Sequence, residues 1–321
     1  MSSDKLVAVI DGAVIDREGA SHSHEDNQVL DPSFTLSVKA DQYSLDDKIQ
    51  FDCHKDIGCF NKCCKHIEIQ LTPYDILRLK KHFEISSNEF VARFTFPFEM
   101  NSHGMPGLRL THKPGSSECI FVTDEGCSVY EDRPTACRYY PLGNMGIRKK
   151  EPNKISTVFF IVKEDSCLGH NEQKTQTIRE YLNEQGADFY DQYNEDWRDI
   201  IVKKRSRGST IVKPNDRSMQ LFDMCSYDID SFREFIQTST FLNLFDIDQN
   251  TLDILINYDE ELLLFAMRFL KQVFFGKKTI PLKQFANEKH LQQPVNILQQ
   301  KAKTEIVVHK SVELLEDWVD S

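Results

Sequence analysis

Eight of the nine cysteines fall between Cys53 and Cys167, and the rest of the chain holds only Cys225. The first four are packed into FDCHKDIGCFNKCC, residues 51–64, which ends in an adjacent pair. Thiols this dense are bridged to one another, ligated to metal, or buried as small apolar groups. The compartment narrows these options. The opening MSSDKLVAVIDGAVIDRE has a short apolar run interrupted by Asp11, with no signal-peptide core and no small-residue cleavage site. The most apolar later stretch, ELLLFAMRFLKQVFFG, is shorter than a bilayer span and carries Arg268 and Lys271. A soluble, cytoplasmic protein with no membrane partner is expected. Structural disulfides are rare there, and clustered cysteines serve metal or redox chemistry.

Composition limits the partners further. The 321 residues are 40% hydrophobic and 28% charged, as in a globular chain long enough for two domains. A formal net charge of −11 opposes nonspecific binding to nucleic acid, so no nucleic-acid partner is expected.

The thiols are spaced C-x5-C-x3-C-C over Cys53, Cys59, Cys63 and Cys64, then C-x7-C-x9-C-x29-C over Cys119, Cys127, Cys137 and Cys167. Zinc ribbons and fingers use short C-x2–4-C chelate loops, and bacterial ferredoxins a tight four-cysteine run. Neither pattern is present. Burial as small hydrophobes accounts for one or two thiols, not for the concentration. A thiolate metal site is expected, and spacing alone leaves the metal open. The pair Cys63–Cys64 sharpens the problem, because neighbouring side chains diverge. They serve different metals of a cluster, or different sites, or one of them lies just outside the ligand shell.

The intervening residues read as an α+β scaffold of short helices and a small antiparallel sheet, irregular and cysteine-rich. LTPYDILRLKKHF places Thr72 at an N-cap, Pro73 at the first helical position and Asp75 three residues after the cap, with Ile76, Leu79 and Phe83 on one face. The N-terminal end of that helix is expected to favour thiolate charge. SSNEFVARF reads as a second helix with a Ser86–Glu89 capping box and a Phe90–Phe94 pair. GLRLTH, ECIFVT and ISTVFFIV read as strands. Pro134 opens a short helix presenting Cys137, and Pro141 stops it. Residues 171–200 read as helix with Ile178, Tyr181 and Leu182 inward, and 203–218 as a solvated linker. From Ser218 onward, Phe and Leu recur at helical spacing, a packed core. Residues 1–45 read as a poorly packed segment or a hairpin through Asp11-Gly12. The division expected is 1–45, a cysteine-cluster domain over 46–170, helix and linker over 171–217, and a mostly helical region over 218–321. The amphipathic HKSVELLEDWVDS helix at the end is a candidate surface for a protein partner.

FDC, GC and CC leading into IEIQLTPYDILRL, then the C-x-F, GC-x-VYEDRPTACRYYPL and CLG segments, resemble the YkgJ-type cysteine-cluster family. That family is described as a zinc- or iron-chelating domain, and flagellin lysine N-methylase carries a related cluster. The family's compact C-x2-C-x2-CC is loosened here to C-x5-C-x3-CC. The resemblance implies that Cys53, Cys59, Cys63, Cys64, Cys119, Cys127, Cys137 and Cys167 are the metal ligands. The cations Lys55, Lys62, Lys65, Arg133 and Arg138 lie near enough in sequence to offset thiolate charge. Arg133 is preferred beside the bound group, because it sits in the family motif and its fork suits fixed hydrogen bonds.

An iron–sulfur cluster, of the [4Fe–4S] kind, is favoured over Zn2+. Long ligand loops suit thiolates spread over several irons better than one small tetrahedron, and the related methylase points to iron. Three functional classes follow. The first is a metal-binding cysteine-cluster protein. The second is a protein lysine N-methylase-like methyltransferase, against which stands the lack of a G-x-G-x-x-G loop after a strand. The third is a thiol oxidoreductase, weakened by the lack of C-x2-C.

Overall fold

The computed structural model describes residues 41–65, 67–100, 105–148, 155–206 and 216–283. The Asp11-Gly12 hairpin and the HKSVELLEDWVDS helix lie outside the described residues, as do positions 207–215 of the linker.

In chain order the first half runs β1 (Lys48–Gln50), β2 (Gln70–Leu71), α1 (Pro73–His82), α2 (Ser87–Phe94), β3 (Thr95–Glu99) and β4 (Pro106–Leu110). Then come β5 (Val122–Thr123), β6 (Gly126–Cys127), α3 (Thr135–Tyr139), β7 (Leu142–Arg148), β8 (Ile155–Ile161) and β9 (Thr175–Thr177). The rest is helical: α4 (Ile178–Glu184), α5 (Ala187–Ser206), α6 (Asp216–Tyr227), α7 (Ile229–Ile236), α8 (Ser239–Leu244), α9 (Gln249–Asn257) and α10 (Asp259–Phe275). The sheets are small and antiparallel, β2-β4-β3 with three strands and β1-β9, β5-β6 and β7-β8 with two each. The fold is α+β.

Each start signal in the first helices is used. Thr72 accepts from Asp75 N, and the Asp75 carboxylate accepts from Thr72 N, a full capping box with Pro73 at the first position. Ile76 and Leu79 are buried. Ser86 accepts from Glu89 N, but the Glu89 carboxylate pairs with Arg93 at 2.8 Å instead of completing a box. A solvated i,i+4 cation was the nearer partner.

Two apolar cores organise these elements. The larger gathers Tyr74, Leu77 and Phe90 from the first half with Phe222, Phe232, Phe265 and Phe269 from the helices beyond 216. The smaller holds Ile49, Phe51, Tyr139, Leu142, Phe159, Ile178 and Tyr181. It sits over a clasp: Lys48↔Thr177 and Gln50↔Thr175 pair, Phe51 N donates to Lys174 O, and Asp52 N to Gly169 O at 3.1 Å. Chain entering the cysteine-rich stretch is thereby hydrogen-bonded to chain leaving it. Gly169 permits this approach, since a Cβ there would stand 2.6 Å from Asp52 O.

Further sequence expectations change: residues 203–206 and 216–218, expected in a linker, close α5 and open α6. Residues 172–177 are not helix, since Thr175–Thr177 pair with β1 as β9, and the helical stretch that follows breaks at Gly186, where φ is +65°. Ile178, Tyr181 and Leu182 are buried as expected. ECIFVT yields only Val122–Thr123 as strand. Before it, single bridges at Lys65↔Glu118 and His112↔Cys119 take up the backbone groups.

Candidate metal centre

The loop holding the first thiols is shaped by one unusual residue. Asn61 takes a left-handed φ of 64°, which asparagine tolerates better than most side chains, and sets up a tight 3-10 turn over Lys62–Cys64. Successive side chains on such a turn point about 120° apart. The adjacent pair, whose thiols stay in hydrogen-bond contact, is shared between two neighbourhoods. Cys63 lines a pocket together with Cys53, Cys59 and Cys167, beside Lys62, Tyr140 and Glu164. Cys64 packs against the larger core with Cys119, Cys127 and Cys137.

Each neighbourhood has its own backbone frame. In the pocket, the Asp52–Gly169 contact brings the two chain ends together and Leu168 N donates to Cys59 Sγ at 3.2 Å. In the core, Cys119 N donates to Cys64 O at 2.8 Å, and Lys65 pairs with Glu118 at 2.7 Å. Val122 N donates to Cys119 O, and the β5–β6 hairpin sets Cys127 opposite Val122. That hairpin turns through Gly126 at φ +125°, a conformation open to glycine alone in practice. Cys137 rides on α3, whose N-terminus is fixed by Thr135 N and Oγ1 donating to Asp75 at 2.8 and 2.7 Å.

All nine cysteines are free thiols. Burial pushes the Cys119, Cys127 and Cys137 thiols up, and for Cys137 the charges of Cys119 and Cys127 push further. Cys53 keeps solvent access, yet loss of hydration, then the charges of Cys63, Cys59 and Cys167, raise it to about 11. Cys63 and Cys64 share a hydrogen bond that lowers Cys63 to about 7 and raises Cys64. Apart from Cys63, these thiols hold their protons more tightly than a free thiol, and they repel one another once ionised. The donor chemistry thus fits a thiophilic metal. Among the described residues, no three His, Cys, Asp or Glu side chains already form a ligand cage. The structure shows neighbourhoods of donors, not a finished coordination shell.

The candidate cations are engaged mostly elsewhere. Arg133 donates to Tyr130 O at 2.7 Å and Gln185 Oε1 at 2.8 Å, and its guanidinium lies 4.1 Å from the Tyr130 ring centroid. Its charge still reaches Cys127, whose pKa it draws down against burial. Arg138 is buried and binds Arg133 O, Gln185 O and Tyr190 Oη, which ties α3 to the α4–α5 junction. Lys55 and Lys62 are exposed. The N-terminal N–H groups of α1 are not available to thiolates: Asp75 N and Ile76 N donate to Thr72, and Tyr74 N to Asn194. Tyr140 was not singled out in the sequence. Its hydroxyl donates to Glu164 at 3.2 Å and interacts with Cys167, and nothing in the local sequence marks it.

The eight clustered thiols are unlinked and lie on loops, turns and short elements. Residues 52–168 match the family model CxxCxxCC, described as "putative zinc- or iron-chelating domain". The match takes in all eight clustered thiols and leaves out Cys225. No curated protein and no solved structure matches the chain. Among the described residues no helix is long and apolar enough to cross a membrane.

Proposed function

We propose that the protein is a cytoplasmic metal-binding protein whose clustered thiolates hold an iron–sulfur cluster in preference to zinc. The observation that carries this reading is the gathering of eight free thiols, all but Cys53 buried or half-buried, inside a segment matching a zinc- or iron-chelating family. A bound metal core supplies positive charge. Each ligating thiol gives up its proton to solvent, so binding depends on pH. Arg133 offsets part of the remaining thiolate charge near Cys127, while its hydrogen bonds to Tyr130 and Gln185 keep it in place. The long ligand loops favour iron–sulfur, for thiolates on different irons need not converge on one tetrahedron.

Anaerobic purification followed by iron, zinc and acid-labile sulfide analysis of the same sample tests this. The expected preparation is brown, with iron and sulfide in near-equal amounts, and bleaches in air. A colourless preparation with stoichiometric zinc and no sulfide would replace iron by zinc. Less than one metal of either kind per chain would overturn the chelating reading itself.

A further inference from the structure

We propose that the eight thiols form two separate metal sites, an outer one of Cys53, Cys59, Cys63 and Cys167 and an inner one of Cys64, Cys119, Cys127 and Cys137. This inference rests on the chelating reading above and adds the number of sites and the partition of ligands.

Three observations carry it. First, the pair on the 3-10 turn over Lys62–Cys64 stays in hydrogen-bond contact through its thiols, yet only Cys63 lines the pocket. Cys63 faces the pocket and Cys64 the larger core. Second, the remaining six thiols sort the same way. Cys53, Cys59 and Cys167 line the pocket with Cys63, while Cys119 is part of the larger core and Cys64, Cys127 and Cys137 pack against it. Third, the two sets hang on different backbone frames. The outer set is joined through Asp52 N to Gly169 O and Leu168 N to Cys59 Sγ. The inner set is joined through Cys119 N to Cys64 O, Val122 N to Cys119 O and the Val122–Cys127 strand pair.

The chain order makes the arrangement nested. The inner site takes the four middle cysteines, and the outer site takes the first three and the last. An outer metal would therefore seal the neck already closed by the β1–β9 clasp, and an inner one would pin Cys137's helix and the Val122–Cys127 hairpin to the turn at Cys64. Cys53 feels Cys63, Cys59 and Cys167, whereas Cys64 feels Cys63 first and then Cys137 and Cys119, so the two sets touch at the adjacent pair. Cys63 lies on the boundary, since Cys127 and Cys137 feel it as well. The two centres would thus be neighbours, with the Cys63–Cys64 peptide as the bridge between them. One thiolate per corner gives each site the four ligands that zinc or a [4Fe–4S] core takes.

Native mass spectrometry of the anaerobically purified full-length chain counts the metal and sulfide bound to each molecule. Two centres per chain are expected, falling to one in Cys53→Ser and to one in Cys127→Ser, with both lost in the double variant. One centre per chain in the wild type, or loss of all metal in either single variant with its far-ultraviolet circular dichroism intact, would overturn the partition and leave the chelating reading standing. A wild type without metal would instead overturn the chelating reading. Should a variant not fold, alkylation of the wild type during chelator titration decides the question. The expected result is labelling of Cys53, Cys59, Cys63 and Cys167 as one group and of Cys64, Cys119, Cys127 and Cys137 as another. Release of all eight in a single step would refute two sites.

Discussion

The stretch between Cys53 and Cys167 and the helices from Asp216 to Phe275 are stabilised by different means. In the helices, Phe232, Phe235, Phe241, Phe245 and Phe269 form a connected set of ring contacts, with centroids 4.5–6.1 Å apart along the chain of pairs. Helix starts there are capped by Asp228, Thr238 and Asp248, and α10 ends on Gly276 in the left-handed region. Apolar burial and local capping suffice. The cysteine-rich stretch gives α1 and α2 to the same larger core, but around the thiols themselves its strands of two to seven residues and short turns are tied by long-range backbone bonds. A metal held by thiols on these loops would add to that stability.

The largest expected effect breaks the helical side. Phe269 is fully buried and its ring centre lies 5.8–5.9 Å from those of Phe232, Phe235, Phe241 and Phe245. Phe269→Ala should cost about 3–5 kcal/mol in denaturant unfolding, with added chelator changing that cost little. A cost that disappears once metal is removed would show that the helices are not self-sufficient.

Next comes the link from α1 to the helix carrying Cys137. The buried Asp75 carboxylate accepts from Thr72 N, Thr135 N and Thr135 Oγ1. Asp75→Ala leaves these donors unpaired and should cost about 3 kcal/mol, at roughly 1–3 kcal/mol for each unsatisfied buried group. It should also speed alkylation of Cys137 more than that of Cys53. Equal acceleration of both thiols would mean that Asp75 supports the whole stretch and not α3 alone.

Where the two regions meet, Asp230 on α7 takes Lys80 of α1 at 2.7 Å and Ser87 N of α2 at 2.7 Å. These partners, with Arg233, hold its carboxyl below the usual range although burial pulls the other way. A depressed folded-state pKa contributes stability that is present above the unfolded value of about 4 and is lost as pH falls below it. Asp230→Asn should therefore cost about 1–2 kcal/mol at neutral pH, and the gap from wild type should narrow between about pH 5 and pH 2. A gap independent of pH would assign the effect to shape, not to charge.

These contacts also show what could be read from the sequence. Thr72, Pro73 and Asp75 announce α1 because a capping box is local chemistry, and Pro134 ahead of Cys137 announces α3 for the same reason. The eight thiols were legible as a set. Their division was not, since it depends on the left-handed Asn61 and on Cys119 N finding Cys64 O across the intervening chain. Residues 171–177 read as helix because the pairing of Gln176 with Ile49 leaves no trace in either segment. ECIFVT has strand composition, yet its backbone is taken up by turns around Cys119.

The smallest effect is expected where the same residue type appears on the other side of the comparison. Cys225 on α6 is fully buried in the larger core, as deep as any thiol in the chain. Burial alone raises its pKa, whereas Cys137 also feels the charges of Cys119 and Cys127. A thiol without thiol neighbours behaves as a small apolar group. Cys225→Ser puts a hydroxyl into an apolar site and should cost about 1–2 kcal/mol, while bound metal stays at the wild-type level. Elemental analysis beside a denaturant melt separates the two readouts. A loss of metal matching that of Cys59→Ser would erase the distinction between a packing cysteine and a ligand, and with it the boundary drawn at Cys167.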